Sequence, residues 1–192
     1  GTLRKFRKPE RLGIAAHVHR IRPEQRTYVD VESIDALRHI RRYDVPPVVL
    51  ERLGETGAWH IAWQVSVPLD GKSAFGSLGT DPTMVSPPVE IASADYPFVI
   101  VRMACRCGHG ASSAQFYWLS GSTRAYCEDT SICFPVLADG ELHDYLVDLR
   151  RDPHGSSTCM SSWMRAGTVT RLRFDPMQHP GEFQIAQISF LG

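Results

Sequence analysis

From Trp59 onward the chain alternates apolar and polar side chains with a period of two. Over residues 60–67, Ile61, Trp63, Val65 and Val67 fall on one side and Ala62, Gln64 and Ser66 on the other, the pattern of a strand with one face against a core. On this pattern Trp63 is a core residue. Similar short stretches follow at about 73–78, 88–92, 97–104, 114–119, 124–127, 131–136, 142–149, 168–174 and 183–191. Gly, Pro, Asp and Ser clusters separate them, and Asp-Pro recurs as a turn signal at Asp81-Pro82, Asp152-Pro153 and Asp175-Pro176. Many short strands joined by tight turns, without alternating helices, predict an all-β fold: an antiparallel jelly-roll β-sandwich.

Residues 1–55 follow a different pattern and read as an N-terminal extended arm with one short helix, ahead of a sandwich over 56–192. The segment 30–42 has the signals of a helix: Asp30 as N-cap, acids in the first turn and arginines in the last. Val31, Ile34, Leu37 and Ile40 recur at every third position and form an apolar stripe. Pro46-Pro47 ends any helix and starts an extended strap into Val48. A chain of 192 residues is long enough for one well-filled core and fits a single domain.

Charge separates the two parts further. Lys and Arg balance Asp and Glu over the whole chain at 21 each, so nothing general directs it to nucleic acid. Residues 1–42 nonetheless hold 11 basic and 5 acidic groups, a net of +6, which leaves −6 on residues 43–192. Such a dipolar chain either folds its basic arm onto the acidic body or offers it to an anionic partner. Arg4, Lys5, Arg7, Lys8 and Arg11 are the candidate partner-binding residues, toward a protein assembly or an anionic membrane surface. No apolar run approaches the roughly 18 residues that span a bilayer, so no transmembrane segment is expected. Arg4 to Lys8 is not followed by the apolar stretch of a signal peptide.

Little in the sequence points to catalysis. There is no Gly-x-Ser-x-Gly elbow, phosphate loop or helical zinc motif, and the expectation is a non-catalytic protein. The five cysteines, Cys105, Cys107, Cys127, Cys133 and Cys159, are an odd number; a bridge closing the short Cys127–Cys133 loop and a set of free thiols both fit the spacing. Cys105, Cys107 and His109 would share one side of a regular strand and could converge on a metal, but Gly108 and Gly110 read as the start of a loop. No metal site is assigned. For sugar recognition, an aromatic face stacks on a pyranose while amides, acids and arginines bond its hydroxyls. Trp163, Tyr117, Trp118, Gln115 and Arg106 supply those types; Tyr117 and Trp118 alternate across a strand, so at least one is core, and Trp163, preceded by the Ser-rich residues 156–162, reads either as the better exposed ring or as a lid over one sheet edge.

Several framework segments occur together: residues 96–103 and 115–118, Ser86-Pro87-Pro88 after an Asp-Pro turn, and Phe134-Pro135. The Asp139-Gly140 turn with His143, the Arg171-x-Arg173-x-Asp175-Pro176 turn, and the final alternating stretch 181–191 complete the set. In this combination residues 57–192 resemble carbohydrate-binding modules of the galactose-binding-like type. The resemblance implies a β-sandwich that binds a glycan or similar polar ligand. By analogy alone it implies a structural calcium with Asp175 as a ligand, although calcium takes six to eight oxygens. The alternative is a structural accessory subunit, membrane-extrinsic, that docks on a larger assembly through its basic arm. Either use favours an extracytoplasmic or membrane-peripheral setting.

Overall fold

In the computed structural model, residues 41–48, 57–67, 74–123, 125–151 and 162–192 are described. The described residues form an all-β, antiparallel sandwich of eleven strands: β1 (Arg42–Asp44), β2 (His60–Trp63), β3 (Val65–Ser66), β4 (Phe75–Ser77), β5 (Thr83–Val85), β6 (Ile91–Ala92), β7 (Phe98–Ser120), β8 (Ser131–Asp139), β9 (His143–Asp148), β10 (Thr168–Asp175) and β11 (Gly181–Leu191). Short 3-10 turns stand at Ser93–Asp95 and Glu128–Thr130. No described helix is long and apolar enough to cross a membrane.

The 23-residue β7 runs through both layers. Its first half lies between β9 and β11, and β11 carries β1 and β4, with β3 outside β4. We call this the back layer. Its second half lies between β8 and β10, and β10 carries β5 and β6, with β2 outside β5. This is the front layer. The register shift between Arg106 and Ala111 marks the passage from one to the other. Gly110, at φ 69°, supplies a left-handed backbone there. The two strands expected at 97–104 and 114–119 are therefore one.

Alternate residues of each layer meet between them. Val99, Val101 and Met103 from the back and Ala114, Phe116 and Trp118 from the front are all buried in one core. Phe116 stacks on Phe174 at 4.4 Å between ring centroids and lies 6.5 Å from Phe190 of the other layer. Pro135 lies within β8, which tolerates it because, among the described strands, β8 borders the sheet and pairs only with β7.

Several expectations are corrected. Residues 42–44 are not a helix end: β1 pairs with the last strand, Arg42 opposite Leu191. Val45 is in the core, and Pro46 accepts a hydrogen bond from the Trp59 indole at 2.7 Å. The sandwich thus takes in residues that the sequence pattern assigns to the arm. Residues 30–40 of the expected helix lie outside the described residues. β5 was not expected, and residues 125–127 form no strand.

Trp163 is not exposed but 1% accessible. Its ring stacks on Phe190 at 5.1 Å and meets Trp118 edge-on, and its N–H donates to the Tyr96 carbonyl at 2.8 Å. The turn after the Ser-rich stretch thus closes one end of the core with its indole. Cys127 and Cys133 are free thiols, not a bridge.

Truncating Phe116 to Ala removes the ring that touches aromatic partners from both layers. Its expected cost is about 3–5 kcal/mol of unfolding free energy, read as a lower urea midpoint with an unchanged slope.

Candidate functional site

The outer surface of the front layer holds the most organised polar chemistry among the described residues. Register places Arg173 of β10 beside Tyr117 of β7 and Val85 of β5, with Ser131 of β8 beyond Tyr117 and His60 of β2 beyond Val85. A second row brings Asp175 beside Gln115, which faces Cys133 on its other side. Trp63 is opposite Thr83, whose hydroxyl donates to the Asp81 carbonyl at 3.3 Å. The alternation of each strand supplies these positions: Phe116, Trp118, Leu172 and Phe174 point inward, so their neighbours point out.

Arg173 is the hub. It donates to Asp175 through Nε at 2.8 Å and Nη2 at 2.7 Å, and Nη2 also donates to Asp81 at 2.8 Å. Its guanidinium lies over the Tyr117 ring, 4.7 Å from the centroid. The paired fork and the ring face together fix one rotamer of a long side chain. Burial raises the Asp175 carboxyl above its usual range, and Arg173 offsets that only in part. Arg173 itself is raised, chiefly by its hydrogen bonds to Asp175.

A second network adjoins the first. Glu128 accepts from the Tyr117 hydroxyl at 2.8 Å and from Gln115 Nε2 at 2.8 Å, and Gln115 also donates to Ser131 at 2.9 Å. The 3-10 turn holds Glu128 there, because Ser131 Oγ donates to its carbonyl at 2.8 Å. These bonds, the Tyr117 hydroxyl foremost, hold the Glu128 carboxyl below its usual range. Burial is the main cause that pushes the Tyr117 hydroxyl above its own. Each carboxylate therefore faces fixed donors and presents a rigid hydrogen-bonding lattice.

Trp63 stands at the rim of this lattice. It is 62% exposed, whereas the other three tryptophans, Trp59, Trp118 and Trp163, are at most 2% exposed. The period-two pattern places it in the core, but a register shift between Ile61 and Trp63 and a left-handed Gln64, at φ 47°, turn it outward. Gln64 secures that bend by accepting from the backbone N–H of Leu78 at 2.9 Å and, through Oε1, from that of Asp81 at 2.9 Å. Asp81 in turn bonds Arg173, so the bend and the hub are directly linked.

Of the residues nominated from sequence, the structure brings Gln115 and Tyr117 together on this face. Tyr117 is 7% exposed, and its ring is covered by Arg173 rather than open for stacking. Trp118 and Trp163 are core residues. Arg106 lies at the far end of the back layer, opposite Glu182 and Asp139 and against the Gly140 turn. Arg4, Lys5, Arg7, Lys8 and Arg11 lie outside the described residues, as does Cys159. Sequence reasoning missed Trp63, Arg173, Asp81 and Glu128. The Arg-x-Arg-x-Asp spacing, which puts Arg173 and Asp175 on one side of a strand, was the available signal for the hub.

The suggested calcium ligand does not fit. Both Asp175 oxygens are engaged by Arg173, and a guanidinium in that position opposes a second cation. Cys105, Cys107 and His109 do not converge. Cys105 is buried with its thiol toward the Pro176 carbonyl, Cys107 bonds the Ala111 carbonyl, and His109 is exposed beside His179. Among the described residues no group of three His, Cys, Asp or Glu could hold a metal ion.

Fold and face together define a β-sandwich with an organised polar outer surface and an exposed tryptophan at its rim. No family model matches the chain, and no curated protein matches it. Among the solved structures it resembles are carbohydrate-binding modules. The module CsCBM6-3 of Clostridium stercorarium, in complex with cellobiose, aligns at 15% identity and a TM-score of 0.40 over 71% of this chain and 87% of that one. The family 11 module of a Clostridium thermocellum cellulosomal cellulase aligns at 9% and 0.43, over 80% and 87%. The family 30 module of another cellulosomal cellulase of that organism aligns at 8% and 0.43, over 78% and 96%.

Glu128 gives the face a pH signature. A carboxyl lowered by folding stabilises the protein fully above its unfolded value near 4.5, and that contribution disappears as pH falls through the folded value. Measured between about pH 2 and 5, the urea midpoint should fall less steeply with acidification in Glu128→Gln than in the parent.

Proposed function

We propose that the outer surface of the front layer binds a neutral glycan, without catalysis. The observation that carries this reading is the exposed Trp63 ring on the same face as the fixed donors and acceptors of Asp81, Arg173, Gln115 and Glu128. A pyranose presents an apolar face of C–H groups and a rim of hydroxyls. An exposed indole meets the first, and an immobilised lattice meets the second without losing side-chain freedom on binding. Neutral ligands are favoured because the carboxylates of Asp81, Asp175 and Glu128 outnumber the guanidiniums of Arg173 and Arg171 on these strands and their connecting turns, which disfavours polyanions.

A second reading keeps the sandwich as a docking body whose basic residues Arg4, Lys5, Arg7, Lys8 and Arg11 hold a larger protein assembly or an anionic membrane surface. The excess of +6 on residues 1–42 supports it. Association through that charge would weaken steeply with salt, as stacking on Trp63 would not.

Because three of the four tryptophans are buried, a fluorescence change on adding soluble neutral oligosaccharides reports on Trp63. Trp63→Ala should weaken binding about tenfold or more, some 1.4 kcal/mol, and leave the urea midpoint unchanged. Equal affinities for parent and variant would contradict the reading.

A further inference from the structure

Gln64 stands where the backbone alone would select glycine. At φ 47° it is the only described non-glycine residue with a left-handed backbone. Glycine would take that conformation without strain, so a glutamine there points to a use for its side chain. Two oxygens of this one residue hold the turn that follows β4. Its carbonyl accepts from the Leu78 N–H at 2.9 Å, and Oε1 accepts from the Asp81 N–H at 2.9 Å. The turn is shaped to receive the carboxamide. A Cβ on Gly79 would stand 2.5 Å from the Gln64 Cδ and 2.8 Å from Nε2, and closer still to Oε1. Gly79 is not itself left-handed, so glycine at this position serves the carboxamide rather than the backbone. Buried hydroxyls tie down both sides of the turn: Ser77 donates to the Gly79 carbonyl at 3.0 Å and Thr83 to the Asp81 carbonyl at 3.3 Å.

We infer that Gln64 is a positioning residue for recognition, which fixes the Trp63 backbone and the Asp81 carboxylate relative to each other, with Gly79 as the space it requires. The role rests on the reading of the front surface as the ligand face. Trp63 precedes Gln64 directly and pairs with Thr83, so the strand end that carries the indole is tied to the turn that carries Asp81. The Asp81 side chain is 55% exposed, and its pair with Arg173 would by itself hold little. Fixing its N–H through Gln64 places the carboxylate against the Arg173 guanidinium at 2.8 Å. A ligand that meets the ring and the carboxylate together then binds without first ordering one against the other.

The test uses the full chain, without added saccharide, and the substitutions Gln64→Asn, Gln64→Gly and Gly79→Ala. Asparagine and glycine both tolerate a left-handed backbone, but asparagine is a methylene too short for the Asp81 N–H and glycine has no acceptor. Gly79→Ala keeps Gln64 and drives its carboxamide out. The readouts are the proton–nitrogen heteronuclear NOE of the Trp63 amide, hydrogen exchange of the Asp81 amide, and the urea midpoint. In every variant the Asp81 amide should exchange about tenfold faster or more and the Trp63 NOE should fall, while the midpoint stays close to that of the parent because the opening is local. Parent-like values at Trp63 in Gln64→Asn and Gln64→Gly would overturn the inference, since the bend alone would then hold the strand end. A midpoint that falls in step with the NOE would overturn it as well, because Gln64 would then serve overall stability alone. If Gly79→Ala does not fold, the two substitutions of Gln64 decide. No saccharide enters these readouts, so the inference and the proposed function can fail separately.

Discussion

The continuity of β7 is the constraint on which the remaining structure depends. One strand takes part in both layers, and its four direct neighbours, β8, β9, β10 and β11, carry all the others. Because side chains alternate along it, the residues that fill the core fix those that face out. Ala114, Phe116 and Trp118 pack inward, which leaves Gln115 and Tyr117 no other place than the front surface. A slip of one residue would exchange the two sets. The ring contacts of Phe116 with Phe174 and Phe190 lock that register from both sides.

On the surface so defined, the polar groups are arranged around Arg173. A partly buried carboxylate such as Asp175 is costly to leave unpaired, and the guanidinium fork satisfies it while covering the Tyr117 ring. Tyr117 then donates its hydroxyl hydrogen bond to Glu128, and Gln115 closes the same carboxylate from the side. The lattice costs little entropy to use because packing already holds its members. Trp63 is added by a different device, a left-handed Gln64 clamped to Leu78 and Asp81. A strained bend of this kind persists only where its surroundings over-determine it.

Much of the fold was legible in the alternation of apolar and polar residues, since burial of one face per strand is a local property. What was missed depended on partners distant in sequence. The Gly108 and Gly110 break reads as a loop, yet a bulge absorbs it once β7 has neighbours on both sides. β1 and β5 are three residues each and are strands only because β11 and β10 pair with them. The site was legible in part. Gln115 and Tyr117 follow from alternation, and resemblance placed the Arg-x-Arg-x-Asp turn in the framework. Trp63 and Trp163 exchanged roles because a register shift turned one out and the end of the core took the other in. Neither event leaves a mark in the period of the pattern.

The central claim is that the front surface recognises the ligand. Mapping amide and indole chemical shifts of the full chain during titration with soluble neutral oligosaccharides tests it most directly. The account predicts changes confined to the Trp63 indole and the backbone around Thr83, Gln115, Tyr117 and Arg173, with the back layer silent. Changes centred on the back layer around Leu146, or no change with any such saccharide, would contradict it.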